Sequence, residues 1–213
     1  MPRQATGLRE PGSQALRHPP RTGTMRATFH FDKARAVKLR RIVQPVLALA
    51  AACLAAGAHA ELSGVSPSGF VVTHRKDVAA PPERAFEAIG DVARWWNPDH
   101  TYSGNAANLK LDMSAGGCFC ERWDGHSIVH AQVIYVSRGK AVRLQGGLGP
   151  LQPLAVVGVL TIAVDTVDGR TVMSWTYRVS GPADAELQKW AAPVDQVIGE
   201  QATRLAALAG GEK

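Results

Sequence analysis

The stretch DAELQKWAAPVDQVIGEQATRLAAL, Asp184 to Leu208, decides the fold. Leu187, Trp190, Ala191, Val194, Ile198, Ala202, Leu205 and Leu208 recur at intervals of three and four, which draws one broad apolar stripe along a long helix. Pro193 falls inside that pattern and would cost roughly 3 kcal/mol in a straight helix. The sequence therefore predicts a kink there, or a short helix to Ala192 with Pro193 opening the longer one.

Everything ahead of the stripe reads as sheet that needs covering. Phe70–Val78 alternates and predicts a first strand. Pro81-Pro82-Glu83 opens a short helix whose Ala85, Phe86 and Ile89 share a face, and Val92–Trp96 forms a second that Asn97-Pro98 stops. Leu109, Leu111 and Met113 alternate with polar neighbours, and Gly116-Gly117 returns the chain into Cys118–Trp123. Two further hairpins follow, Val129–Val136 with Ala141–Gln145, and Val157–Asp165 with Thr171–Val179 across the turn signal Asp168-Gly169. The glycine-rich run Gln145–Pro153 lacks the Lys-Ser/Thr and following helix of a phosphate loop, and predicts a mobile loop over one end of the sheet. The order is strand, two short helices, about six antiparallel strands and a long helix, so the class is α+β with helices on one face of a curved antiparallel sheet.

Aromatic and polar residues within this pattern point to a site. Trp95-Trp96 either anchors the helical segment to the sheet or places a ring on a pocket wall. Phe119, Glu121 and Trp123 alternate with Cys118, Cys120 and Arg122, so aromatics facing inward take Glu121 with them. A carboxylate there needs a partner or a proton. Glu121 is thus a candidate polar contact to a ligand, the alternative being a rim residue paired with a neighbour such as Arg143. Met173, Trp175, Tyr177 and Val179 share one face of the final strand, as core or as wall. Two residues of strand span about 6.6 Å, at the edge of disulfide reach, so Cys118 and Cys120 are expected as free thiols.

Charge and composition divide the chain. Lys and Arg outnumber Asp and Glu by 10 to 2 in residues 1–60, against 14 to 16 in residues 61–213. The net charge of +6 therefore belongs to the leader, and no basic surface for nucleic acid remains beyond it. Residues 1–37 read as a disordered or mis-assigned extension, of which 1–24 have no apolar period and precede Met25, an alternative start. Residues 38–60 read as a signal peptide. Lys38, Arg40 and Arg41 precede the small apolar run Val46–Ala56, and Ala58-His59-Ala60 predicts cleavage after Ala60. That run is shorter than the roughly 20 residues of a membrane span, and no span occurs in 61–213. The expected location is periplasmic or secreted by a Sec-type route. The domain is 61–213.

Several motifs together carry a family resemblance: Ala80-Pro81-Pro82-Glu83 before Phe86, Arg94-Trp95-Trp96-Asn97-Pro98-Asp99-His100 with Tyr102-Ser103-Gly104, Gly116-Gly117-Cys118-Phe119-Cys120-Glu121, Leu148-Gly149-Pro150-Leu151-Gln152, and Val194-Asp195-Gln196-Val197 with Glu200-Gln201 and Arg204-Leu205. Over roughly residues 70–208 the chain resembles an exported bacterial branch of the START-like (SRPBCC) superfamily, with its polyketide cyclase-like and Hsp ATPase activator-like members. The resemblance implies a helix-grip fold, six or seven strands wrapped on the C-terminal helix with two short helices after the first strand, and an apolar cavity between sheet and helix. It implies a small hydrophobic partner and brings no cofactor and no catalytic set. An exported protein would not meet an ATP-driven cytosolic chaperone.

Three functions compete. In the first, a hydrophobic ligand is held by Trp95, Trp96, Phe119, Glu121, Trp123, Trp175, Tyr177 and Trp190. In the second, a cyclase- or dehydratase-type enzyme uses Glu121 as general acid or base beside His130 or Tyr177. In the third, Cys118 and Cys120 form a metal or redox site with His126 or His130.

Overall fold

Eight strands and three α-helices follow one another in a computed structural model that describes residues 60–211. The extension 1–37 with Met25, and the signal segment up to His59, lie outside the described residues. The strands are β1 (Ala60–Ser66), β2 (Gly69–Val78), β3 (Leu109–Leu111), β4 (Cys118–Trp123), β5 (His126–Ser137), β6 (Ala141–Gln145), β7 (Val157–Val167) and β8 (Arg170–Ser180). The helices are α1 (Pro82–Gly90), α2 (Val92–Trp95) and α3 (Gln188–Gly210). All strands join one antiparallel sheet in the order β1-β2-β8-β7-β6-β5-β4-β3. With the long terminal helix across its inner face, this is the helix-grip arrangement.

The sheet has one strand more than the alternation predicts. Leu62 of β1 pairs with Val72, yet Leu62 and Val65 stay exposed, so this edge strand carries no clean inside-outside pattern. Elsewhere the period of two holds. Trp175, Tyr177 and Val179 on β8 are buried, and β7 and β8 pair without slippage through Asp168-Gly169, both at positive φ.

The helix α3 starts at Gln188 rather than Asp184 and runs through Pro193 without interruption for 23 residues. Ahead of it Ala183–Ala185 make a single 3₁₀ turn, Glu186 turns left-handed, and Leu187 N donates to Pro67 O at 2.9 Å. This fixes the entry of the helix against the β1–β2 turn. Its apolar stripe buries Ala191, Ile198, Ala202, Leu205 and Ala209, and α3 lies mainly over β2, touching β1, β8, α1 and α2 as well.

The polar side of α3 holds the end of α2. Gln201 Oε1 accepts from Asn97 N at 2.9 Å, Arg204 Nε donates to Trp95 O at 2.7 Å, and Asn97 Nδ2 donates to Glu200. These bonds satisfy main-chain groups that α2 leaves open where Pro98 forbids further helix. They also fix Trp96 in space.

Candidate functional site

The strands β4 and β5 pair with a one-residue slip. Phe119 faces Ala131 and Cys120 faces Val129, which leaves His130 as the extra residue of a β-bulge. The bulge turns His130 inward, and both it and Ala131 are buried. His130 Nε2 then lies 3.0 Å from Glu121 Oε2. Glu121 is fully buried and also accepts from Tyr102 N at 3.1 Å and Ser103 N at 2.6 Å. It is no rim residue paired with Arg143, whose Nε donates to Thr161 Oγ1.

This environment sets the charges. Burial alone would raise the Glu121 pKa, but hydrogen bonds from Ser103, Tyr102 and His130 outweigh it and hold the carboxyl below its ordinary value. Burial pushes His130 below the usual histidine value, against the opposing pull of Glu121. The pair is carboxylate and neutral imidazole, so the proton sits on Nε2, facing an anion that only accepts.

Tyr177 does different work. Its hydroxyl accepts from Leu148 N at 3.0 Å and donates to Gly146 O at 2.9 Å, and burial raises its pKa to about 12. It clasps the glycine-rich segment, which forms a 3₁₀ helix over Gly149–Leu154 rather than an open loop. Tyr102 Oη donates to Gly149 O at 3.1 Å from the other side. Gly158 is required here, because a Cβ on it would stand 2.4 Å from the Tyr177 hydroxyl.

Between these groups and α3 lies a cavity of about 410 Å³, lined by Trp96, the Asp99–Tyr102 turn, His130, Leu148–Pro150, Tyr177, Trp190, Pro193, Val194, Val197 and Ile198. The volume falls in the range of small-molecule sites, and the wall is mostly apolar. Of the ligand contacts expected from sequence, Trp96, Tyr177 and Trp190 line it. Trp95, Phe119 and Trp175 do not. Trp95 meets Trp175 edge to face at 5.8 Å, Trp96 meets Phe119 at 5.2 Å, and this aromatic cluster packs in the core beneath the sheet. This cavity lies at the end near the 3₁₀ helix; a second, more polar hollow of about 690 Å³ opens between α1, Met113, the β5–β6 turn and β7. Trp123 is half-buried and stacks on exposed His126 at the hairpin tip. Glu121 stands behind His130, outside the cavity lining.

Cys118 and Cys120 form a disulfide with a Cα–Cα distance of 5.4 Å. The expectation of free thiols fails because β4 is contracted beside the bulge, below the roughly 6.6 Å of an extended pair. The bridged sulfurs are not thiolates that could bind a metal. His130 is turned to Glu121 and His126 lies at the strand start, so the proposed Cys-His cluster does not assemble.

A family profile described as polyketide cyclase/dehydrase and lipid transport matches residues 70–210, from the start of β2 to the last residue of α3. The chain belongs to that family. The description of this polyketide cyclase/dehydrase family is of proteins that handle hydrophobic molecules. Similar solved structures include CalU16 from Micromonospora echinospora, with a TM-score of 0.50 and 11% identity over 74% of this chain and 86% of that one. Ms6760 from Mycobacterium smegmatis gives 0.48 and 16% over 70% and 94%. The Aha1 dimer from Colwellia psychrerythraea gives 0.44 and 17% over 66% and 96%. At these identities the likeness concerns the fold alone. No curated protein matches the sequence.

Sequence reasoning missed part of this family member's cavity. Val194 and Ile198 were in the helical stripe, and their role was readable only as packing. The sequence offers His130 as a partner of Glu121 or of the cysteines but not as a cavity wall, because a bulge leaves no periodic signal, and Tyr102 lies in an aperiodic polar stretch.

Proposed function

We propose that this protein is exported and binds a small hydrophobic molecule in the cavity between α3 and the sheet. The observation that carries the reading is the cavity itself, walled by Trp96, Trp190, Val194, Val197 and Ile198 and more apolar than the second hollow beside α1. The family description supports it. The disulfide supports an oxidising compartment. Cleavage after Ala60 would remove one residue of β1 and keep Glu61, Leu62 and Ser63 in register with β2. Native mass spectrometry of protein recovered from its own host tests this. The expected species begins at Glu61 and carries a co-purifying apolar molecule; a protein that is always empty, and whose tryptophan fluorescence responds to no lipid or aromatic compound, contradicts it.

A second reading, acid-base catalysis on such a molecule, has one specific observation in its favour: His130 lies on the wall with its ring held by an ionised Glu121. In that reading His130 is the general base and Glu121 the residue that positions it, while Tyr177, with its hydroxyl committed at both ends, takes no part. Recovery of bound compounds chemically unchanged after prolonged incubation, by wild type as by His130→Ala, would remove it.

A further inference from the structure

We propose that the cavity selects apolar molecules that carry a hydroxyl group, an alcohol or a phenol, with Nδ1 of His130 as the acceptor. This rests on the cavity being a ligand site, and it adds the chemistry by which that site chooses.

Glu121 receives main-chain N–H groups from Tyr102 and Ser103 and the Nε2 proton of His130. With that proton fixed, Nδ1 is left as a bare lone pair. It has no hydrogen-bond partner among the described residues, and it is not one of the sealed polar atoms lacking a partner, which are in Trp175, Asp195 and Gln201. Nδ1 therefore reaches open space, and the cavity is the space that His130 lines.

The side-chain hydroxyl and indole donors beside His130 are spent on protein. Thr101 Oγ1 donates to Pro98 O at 2.7 Å, Trp96 Nε1 to His100 O at 3.0 Å, Tyr102 Oη to Gly149 O and Tyr177 Oη to Gly146 O. What these groups still present is lone pairs. Trp190, across the cavity on α3, keeps an indole N–H without a partner among the described residues. A hydroxyl brought against His130 finds an acceptor ready. A carboxylate or ketone placed there meets a lone pair and loses its water without replacement. The imidazole is uncharged at neutral pH because burial outweighs Glu121, so it offers no cation to hold an acid.

The test uses matched probes on the purified protein, followed by tryptophan fluorescence and calorimetry. They are 1-naphthol against 1-methylnaphthalene and 1-naphthoate, and 1-decanol against 1-chlorodecane. The expected result is that a hydroxyl probe binds about tenfold more tightly than its deoxy match, with naphthoate weakest. The naphthalene and decyl arms show whether phenols or alkanols are preferred. His130→Phe should erase the hydroxyl preference, so that 1-naphthol and 1-methylnaphthalene bind with equal strength. Should that variant fail to fold, ¹⁵N NMR of the wild-type ring decides: Nδ1 must be unprotonated and must shift with 1-naphthol but not with 1-methylnaphthalene. Equal binding of hydroxyl and deoxy probes, or an Nδ1 signal that does not move, overturns the inference and leaves the ligand site standing. Binding of no probe at all overturns both.

Discussion

Gly199 of α3 rests directly on the His74 ring of β2: a Cβ at position 199 would stand 2.6 Å from Cε1 of His74. The imidazole Nε2 lies 3.1 Å from Asp195 O and 2.9 Å from Asp195 Oδ1, one turn earlier on the helix. The single N–H serves the main-chain oxygen, which leaves Oδ1 without a hydrogen bond. Helix and sheet touch here through a polar residue, and the close approach sets the height of α3 above β2, hence the size of the cavity further along.

Gly199→Ala should therefore destabilise the protein by about 1–3 kcal/mol through overpacking, even though alanine is favoured over glycine in a helix by roughly 1 kcal/mol. In a His74→Ala background the same change should become neutral or stabilising. Denaturant unfolding of the four proteins checks the cycle.

Acid should weaken the fold in two stages. Both pKa values are depressed in the folded state, His130 by burial against the pull of Glu121, and Glu121 because its hydrogen bonds outweigh burial. As pH falls the unfolded chain takes each proton first, so stability present above the ordinary values is lost on acidification. The loss starts near the ordinary histidine value of 6.5 and extends through the lowered pKa of His130; a second begins near 4.5 and extends through that of Glu121. Glu121→Gln sets an amide N–H₂ against a main-chain N–H and should cost about 2 kcal/mol at neutral pH. Its stability curve should converge on that of wild type in strong acid, where Glu121 is itself protonated.

Alkali should act through Tyr177. Its pKa of about 12, raised from 10, means that stability present below pH 10 falls as pH rises to 12, by roughly 2 to 3 kcal/mol. Tyr177→Phe should lose this dependence and should be weaker by about 1–3 kcal/mol at neutral pH, because Leu148 N and Gly146 O lose their partner. Urea titrations across that pH range measure both effects.

The legibility of the chain follows period. Long amphipathic repeats fixed α3, and strict alternation with Asp168-Gly169 fixed β7 and β8, because each element buries one face. Glu121 could be sent inward from the alternation of Phe119 and Trp123, with His130 or Tyr177 as its neighbour, but the choice between them rests on a bulge, and its other two partners are main-chain N–H groups of an aperiodic turn that no residue type announces. That irregularity also hid the disulfide, since contraction of β4 leaves no trace in residue types. The aromatics were legible as inward-facing but not as filling, because whether rings meet or stand apart depends on the curvature of the sheet.

The Cys118–Cys120 bridge should matter little for stability. It closes a loop of a few residues, so its removal in Cys118→Ala/Cys120→Ala should cost at most about 2 kcal/mol. Alkylation of the processed, unfolded protein should label neither cysteine without reductant and both with it, as read by intact mass.

The cavity is tested most directly by filling it. Val197 is half-buried on the cavity face of α3, so Val197→Trp puts an indole into the space with little disturbance of the stripe beneath. Titration with the uncharged fluorophore N-phenyl-1-naphthylamine should show saturable binding to wild type, weakened at least about tenfold in the variant, with the circular dichroism melt preserved. Binding of equal strength to both proteins, or none to the wild type, would contradict the account.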